Sequence, residues 1–227
     1  MGTLELNGVE IRVVEDPVRQ AAAFLIEHAT GGGHIALSGG STPGAAYELA
    51  AQLHPDWGRA HVWFGDERVV PPGDSRSNYR LVRTTLLDSL SRSPQVHRVR
   101  GERPAEEAAA LYDEELDGVT LDLALNGIGP DGHTASLFPG SPALGESERR
   151  AVTAEAGLEP FVTRVTMTPK VFAETTVLVY LATGEKKAAA AKAAFANEPG
   201  LATPASSIRG RTTIAILDGA AASLLSA

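Results

Sequence analysis

The sequence predicts an α/β fold in which helices cover both faces of a mainly parallel sheet. The first observation is that strand-like and helix-like segments alternate along all 227 residues. The second is that most strand-like segments are short and continuously apolar, as strands buried on both faces are. This alternation favours parallel pairing through right-handed crossovers. Because no repeat, low-complexity tract or linker interrupts the pattern, we expect a single domain over residues 1–227.

The composition narrows the class of protein. Hydrophobic residues make up 43% of the chain, enough for a sizeable core. No apolar run approaches the ~20 residues of a membrane span, and the N-terminus lacks the pattern of a signal peptide. The absence of cysteine excludes disulfides and thiolate chemistry and fits a cytoplasmic protein. The net charge of −8 disfavours nucleic acid as a partner.

The first half of the chain shows three strands, each followed by a helix. The predicted elements are a strand at 9–14, a helix from 17 to about 28, a strand at 34–37, a helix at 44–53, a strand at 61–64 and a helix at 78–90. The first helix has a defined start, because Asp16 is a favoured N-cap residue and Pro17 fits the first turn.

The second half continues the alternation. The predicted elements are a helix at 105–116, a strand at 121–125, a strand-like segment at 165–167, a strand at 176–181, an alanine-rich helix at 184–195, a strand at 212–217 and a short C-terminal helix. Residues 71–78 and 139–148 are interpreted as surface loops, too short to separate domains.

The segment 126–140 is the strongest candidate for a site. It follows an apolar strand and places Asp131 and His133 in a glycine-rich turn. Ligands of α/β proteins bind at the carboxyl ends of strands, and a histidine there can exchange a proton near neutral pH. Asp131 can orient the imidazole and stabilise its cation. We interpret His133 as catalytic; the alternative is a solvated histidine in a tight loop.

The same segment contains a G-x-G-x-x-G pattern made by Gly127, Gly129 and Gly132. A dinucleotide fingerprint needs a long helix directly after the third glycine to hold the pyrophosphate. Here His133 follows, and the chain reaches Pro139 before any long helix can form. We therefore reject dinucleotide binding.

A second candidate site is the glycine- and hydroxyl-rich turn that follows the strand at 34–37 and leads into a helix. Glycines allow backbone N–H groups to approach an anion, hydroxyls add donors, and the helix N-terminus favours negative charge. The turn is not a Walker A loop, because no Gly-Lys-Ser/Thr sequence follows it. It is not a nucleophile elbow either, because Pro43 stands where that motif needs its second glycine. The alternative is an ordinary N-cap with a tight turn. The residues concerned are Gly39, Gly40, Ser41 and Thr42.

Asp66, Glu67 and Arg68 form a third candidate, again at a strand end. The two acids could be general bases, metal ligands or salt-bridge partners. Adjacent strand residues point to opposite faces, so at most one acid should face a ligand. For Glu67 and Arg68 we expect structural pairing.

Metal binding is not expected, because the six histidines are scattered without ligand spacing. Arg164, at the start of a strand-like segment, and Lys187, in the first turn of a helix, are candidate partners for an anion. Lys186 and Lys192 remain alternatives as solvated charges.

Taken together, these segments resemble the 6-phosphogluconolactonase family, which is related to the glucosamine-6-phosphate isomerases and deaminases. Five segments spread over nearly the whole chain carry the resemblance: 38–43, 65–71 with 77–78, 127–140, 164–168 and 184–187. The resemblance implies a modified Rossmann-like fold with three layers. It also implies hydrolysis of 6-phospho-D-glucono-1,5-lactone to 6-phosphogluconate without a metal or cofactor, in a monomer or small homo-oligomer.

The resemblance also assigns roles by position. His133 matches the catalytic base and Asp131 its acidic companion. The phosphate loop matches Gly39, Gly40, Ser41 and Thr42, and the basic residues that hold the phosphate match Arg164 and Lys187. The remaining substrate-binding positions match Asp66, Arg68 and Asn78, whose roles are less defined.

Two other functions remain as alternatives. Deaminases of this superfamily carry a glutamate five residues after the motif histidine, whereas this chain has Phe138. That difference favours lactone hydrolysis over amino-sugar isomerisation. A non-catalytic sugar-phosphate sensor is the second alternative, and the intact His133 and Asp131 disfavour it.

Overall fold

A computed structural model describes residues 2–225 and shows strands and helices in alternation. The strands are β1 Gly2–Leu6, β2 Val9–Val13, β3 His34–Leu37, β4 His61–Phe64, β5 Asp66–Arg68, β6 Gln95–Val96, β7 Leu123–Asn126, β8 Ala151–Ala154, β9 Arg164–Met167, β10 Val177–Ala182 and β11 Thr212–Leu217. The α-helices are α1 Pro17–Gly31, α2 Ser41–Leu53, α3 Asn78–Thr85, α4 Ala105–Glu115, α5 Pro169–Glu174, α6 Ala188–Phe195 and α7 Pro204–Ser207.

The main sheet has eight strands in the order β1-β2-β11-β10-β7-β3-β4-β6. All neighbours pair in parallel except β1 and β2, which form an antiparallel hairpin. The predicted mainly parallel sheet is therefore confirmed. A second, antiparallel sheet of three strands, β5-β9-β8, was not predicted.

Apolar layers lie on both faces of the main sheet. Along β7, Leu123 and Leu125 belong to one layer and Ala124 to the other, because successive strand residues point to opposite faces. The first layer includes Leu25 of α1, and the opposite layer includes Tyr112 of α4. The helices thus cover both faces, which confirms the predicted three layers.

Several predicted boundaries were wrong by a few residues. The helix predicted from residue 44 begins at Ser41, so the hydroxyls of the glycine-rich turn belong to its first turn. The helix predicted over 78–90 ends at Thr85 and is followed by a 3₁₀ turn, Leu87–Ser89. Thr84 and Thr85 donate hydrogen bonds back to carbonyls of the preceding turn, a pattern that weakens helix continuation.

The C-terminal half differs from the prediction in two further places. The helix predicted over 184–195 starts as a 3₁₀ turn, Glu185–Lys187, before α6. The predicted C-terminal helix is not observed, because residues 219–224 form turns; residues 226–227 lie outside the described part of the chain.

Some elements were missed, and β1 is the clearest case. Asn7 and Gly8 connect it to β2 with positive φ angles of 49° and 72°. Asn-Gly is a strong signal for a tight hairpin turn, so β1 could have been recognised. The other missed elements are β5, β6, β8, α5 and α7, all of six residues or fewer. No helix within residues 2–225 combines the length and apolar character needed to cross a membrane.

Candidate active site

A cavity of about 300 Å³ lies at the carboxyl-end edge of the main sheet. Segments following β3, β7 and β10 line it, together with residues of β5 and β9 from the smaller sheet. The predicted residues that line it are Gly39, Gly40, Ser41, Thr42, Asp66, Arg68, His133, Arg164 and Lys187. Asp131 and Asn78 stand behind this lining, and each bonds a residue that belongs to it.

His133 is held by Asp131 through one side of its ring. The His133 Nδ1 atom lies 2.5 Å from Asp131 Oδ1, and the same oxygen accepts the His133 backbone N–H at 3.2 Å. Both side chains are partly exposed, at 22% and 29%. The Asp131 contact assigns the proton to Nδ1, which leaves Nε2 as the nitrogen able to accept a proton from a ligand.

Glycine is required beside this pair. A Cβ atom on Gly129 would lie 2.0 Å from His133 Nδ1 and 2.8 Å from Asp131 Oδ1. At Gly132 the φ angle is +81°, and a Cβ would lie 2.6 Å from the methyl group of Thr203. Of the three glycines first considered as a nucleotide pattern, Gly129 therefore makes room for the His133–Asp131 contact, and Gly132 makes room for Thr203.

The other face of the imidazole packs on Phe138. The two ring centroids are 4.5 Å apart at an interplanar angle of 40°, and Phe138 is buried. The position that distinguishes deaminases thus holds an apolar ring against the histidine. No carboxylate is supplied to the imidazole from this side.

Tyr47 anchors the turn after β3 through two hydrogen bonds to the backbone of Ser38. Its hydroxyl donates to the Ser38 carbonyl at 2.8 Å and accepts the Ser38 N–H at 2.9 Å. Gly40 then takes φ +117°, a conformation open to glycine, and stands at the N-cap position of α2 without a side-chain cap. The Ser38 hydroxyl is buried, lines the cavity and has no hydrogen-bond partner among the described residues.

Asp66 faces the cavity within a network of donors. Its Oδ2 accepts the Ser136 hydroxyl at 2.6 Å, and its Oδ1 accepts the Asn78 amide at 3.0 Å. Arg164 Nη1 lies 3.9 Å from Asp66 Oδ2. Asn78 therefore acts on the site by holding Asp66.

Glu67 points away from the cavity and caps α3. Its carboxylate accepts the backbone N–H groups of Asn78 and Tyr79, both at 2.7 Å, as well as the Ser77 hydroxyl at 2.9 Å. Burial raises the pKa of Glu67, against the effect of these donors. The expected pairing of Glu67 with the Arg68 guanidinium was wrong, because that group donates to the Arg76 carbonyl.

Three basic side chains converge on the cavity: Arg68, Arg164 and Lys187. Arg164 donates to the carbonyls of Val162 at 3.0 Å and Pro160 at 2.9 Å, while Lys187 Nζ donates to the Ile128 carbonyl at 2.6 Å. Burial lowers the pKa of both Arg164 and Lys187. A local cluster of cations in a protein of net charge −8 marks the cavity as a site for an anion.

Sequence reasoning missed several residues of the site. Thr183 directly follows β10 and lines the cavity, and Ala135 lines it with a φ of +50°. Ser136 was quoted in the motif but not given its role as the donor to Asp66. Ala205 also supports the turn after β7, since its N–H donates to the Gly132 carbonyl at 2.9 Å. The Ser136–Asp66 and Ala205–Gly132 hydrogen bonds join segments that are far apart in the sequence, so no local sequence pattern predicts them.

Across residues 2–225, no group of three or more His, Asp or Glu side chains is arranged to hold a metal ion.

Comparison with known proteins points to one family. The sequence profile of the glucosamine-6-phosphate isomerases/6-phosphogluconolactonase family matches residues 9–216. The 6-phosphogluconolactonase of Rattus norvegicus is 38% identical over 224 residues, covering 92% of this chain and 87% of the rat protein.

The structure of 6-phosphogluconolactonase from Trypanosoma cruzi superposes with a TM-score of 0.84 at 26% identity, covering 100% of both chains. A monomeric glucosamine-6-phosphate deaminase has the same TM-score of 0.84 at 18% identity, covering 96% of this chain and 99% of its own. That last likeness concerns the fold alone.

Proposed function

Since the chain belongs to the glucosamine-6-phosphate isomerase/6-phosphogluconolactonase family, we propose that it hydrolyses 6-phospho-D-glucono-1,5-lactone to 6-phosphogluconate. The observation that carries this function is the His133–Asp131 pair, which presents one ring nitrogen to a cavity lined by three cations. Curated 6-phosphogluconolactonases from bacteria and mammals match the chain over most of its length.

In the mechanism, His133 activates water. Nε2 takes a proton from a water molecule as its oxygen attacks C1 of the lactone, and Asp131 stabilises the imidazolium that forms. Negative charge develops on the former carbonyl oxygen, where backbone N–H groups of the glycine-rich lining are the donors. When the C1–ring oxygen bond breaks, the proton passes from Nε2 to the departing oxygen, which regenerates neutral His133 and releases the carboxylic acid.

The phosphate fixes C1 against the base. The turn after β3 supplies backbone and hydroxyl donors, and Arg164 and Lys187 supply charge. Binding energy from this remote group is used to orient the reacting carbon. No step of this mechanism uses a metal or cofactor.

Deaminase chemistry is the second candidate, and the site disfavours it. Phe138 occupies the position of the glutamate that serves ring opening, and its ring packs on His133. Both oxygens of Asp66 accept hydrogen bonds from neighbouring side chains, Ser136 and Asn78. Asp66 matches the aspartate that abstracts a proton in the deaminases, but the lactonases keep it too, and its two hydrogen bonds suit a fixed binding group better than a base.

The proposal extends to the setting of the enzyme. We assign the 227 residues to one functional domain that acts in the cytoplasm as a monomer or small homo-oligomer, without a nucleic-acid partner. The lack of cysteine and the negative net charge support this setting.

The decisive experiment compares two substrates. The protein is incubated with freshly generated 6-phosphogluconolactone and, separately, with glucosamine 6-phosphate. Loss of the lactone above the no-enzyme rate, with no release of ammonia from the amino sugar, is the expected result. Because the lactone also hydrolyses spontaneously, the rate is taken from a coupled assay against that blank. Ammonia release, or binding of 6-phosphogluconate without lactone turnover, would replace the proposal with one of its alternatives.

A further inference from the structure

Thr183 is a cavity residue to which the mechanism above gives no role. It directly follows β10 and lines the cavity with its side chain half-buried. Its Oγ1 lies 3.2 Å from Oγ1 of Thr42, which belongs to the first turn of α2. The two hydroxyls therefore join the turn after β3 to the turn after β10.

One of the two hydroxyl protons of this pair remains available to donate to a ligand. Each hydroxyl has one proton, and only one of the two protons is used between Thr42 and Thr183. Hydroxyl protons rotate freely, so both can turn towards an anion that enters the cavity. The pair is thus suited to an acceptor-rich ligand such as a phosphate monoester.

Two further features of the same cavity favour an anion there. The Ser38 hydroxyl is 4% exposed as a residue, lines the same cavity and lacks a hydrogen-bond partner among the described residues. Lys187 contributes a half-buried ammonium only four residues after Thr183. A neutral donor, a hydroxyl pair and a cation therefore line the same cavity as the N-terminus of α2, which itself favours negative charge.

The position of Thr183 is set from the neighbouring strand β11. Gly184 follows it with φ +87°, and the Gly184 N–H is held by both carboxylate oxygens of Asp218, at 3.1 and 2.9 Å. Asp218 comes directly after β11 and also accepts the N–H of Ala221 at 2.7 Å. The turn that carries Thr183 and Lys187 is thereby fixed before a ligand arrives.

From this geometry we infer that Thr183 is a substrate-binding residue, whose hydroxyl donates to the phosphate of a phosphorylated sugar lactone together with Thr42. The inference rests on the proposed function and adds a contact from a different strand. The lactone has no carboxylate, so a raised KM for it cannot arise from a lost contact to that group.

The test replaces the hydroxyl by a methyl group. Thr183→Val keeps the shape of the side chain and removes the donor, Thr183→Ser keeps the donor, and Thr176→Val makes the same change at an exposed position at the opposite end of β10. We expect Thr183→Val to raise the KM for 6-phosphogluconolactone and the Kd for 6-phosphogluconate about tenfold or more, with kcat changed less than about threefold. Thr183→Ser should stay within about threefold of the parent protein, and Thr176→Val should match it.

Three results would overturn the inference: an unchanged KM and Kd in Thr183→Val, an equal loss in Thr183→Ser, or a fall in kcat alone. If Thr183→Val does not fold, as judged by its melting temperature, Thr183→Ala serves the same comparison. Calorimetric titration with 6-phosphogluconate does not depend on turnover. Absence of lactonase activity in the parent protein would therefore refute the proposed function, while the binding comparison would still decide the role of Thr183.

Discussion

At the scale of single residues, His133 shows how neighbours fix the orientation of an imidazole. Asp131 occupies Nδ1, Phe138 covers one face of the ring, and Gly129 leaves the space that both contacts need. The consequence is an imidazole held in one orientation with Nε2 available. Its orientation depends on three neighbours within ten residues of sequence.

Replacing the imidazole should remove acid–base catalysis. We expect His133→Ala to lower kcat by ~10²–10⁴, the usual contribution of a positioned proton-transfer group. The measurement is kcat in the coupled lactone assay, with the spontaneous rate subtracted. His28→Ala, in α1, controls for loss of a histidine in general. Turnover close to that of the parent protein would remove His133 from the mechanism.

Lys187 and Lys186 offer a matched pair for the phosphate contact. Lys187 lines the cavity, whereas Lys186 is exposed in the same 3₁₀ turn, Glu185–Lys187. Lys187→Ala should raise KM about tenfold or more, because a charge-assisted hydrogen bond is lost, and should affect kcat less. Lys186→Ala should leave both constants within about twofold. Equal KM values for the two variants would contradict the assignment.

At the scale of elements, the site is assembled from the segments that follow parallel strands. The carboxyl ends of β3, β7 and β10 meet at one edge of the sheet, so turns far apart in sequence share one cavity. The parallel strands themselves were readable from short apolar runs such as His34–Leu37 and His61–Phe64, which the structure reproduces. The smaller sheet was not predicted, because β5 has only three residues and the pairing of β5 and β8 with β9 is non-local.

The turn after β7 provides an element-scale test. A methyl group at Gly129 would overlap His133 Nδ1 and force the His133–Asp131 pair apart. We expect Gly129→Ala to lower kcat by ~10² or more, since misplacement of a reacting group by about 1 Å can cost that factor. Circular dichroism should show a preserved fold.

The control for this test is Gly145→Ala, in the 3₁₀ turn Pro142–Gly145. A Cβ at Gly145 meets nothing within 4 Å, and Gly145 does not line the cavity that contains His133. Its kcat should match that of the parent protein. Comparable losses in both variants would indicate a general effect of stiffening this region and contradict the local explanation.

At the scale of the whole molecule, a histidine cluster stabilises the edge of the sheet opposite the cavity. His34 and His61 open β3 and β4, their rings stack with centroids 4.3 Å apart, and His61 Nδ1 lies 3.1 Å from His97 Nε2. His97 in turn contacts Glu115 of α4 at 2.6 Å. Burial, and then the neighbouring histidine, lowers the pKa of both His34 and His61; Asp122 opposes this effect at His34.

This cluster predicts a dependence of stability on pH. A lowered histidine pKa in the folded state means that the unfolded chain binds more protons, so stability is complete above the ordinary histidine pKa of about 6.5 and falls as the pH drops below it. We expect the free energy of unfolding, measured by urea titration, to decrease from pH 7 to pH 5. The decrease should be smaller in His61→Gln than in His54→Gln, which replaces a histidine at the C-terminal end of α2. Equal pH dependence in the two variants would exclude the cluster as the cause.

The sequence by itself determined the alternation of strands and helices, and with it the layered fold and the strand ends that hold Gly39, Asp66 and His133. It also determined the contrast at Phe138, because these features depend on local pattern or on residue identity. The tertiary structure alone decided that Glu67 caps α3 and that Thr183 meets Thr42. The first contact depends on how the loop between β5 and α3 folds back, and the second joins turns after two different strands that sheet order and crossover connections bring together. Neither contact follows from a local sequence pattern.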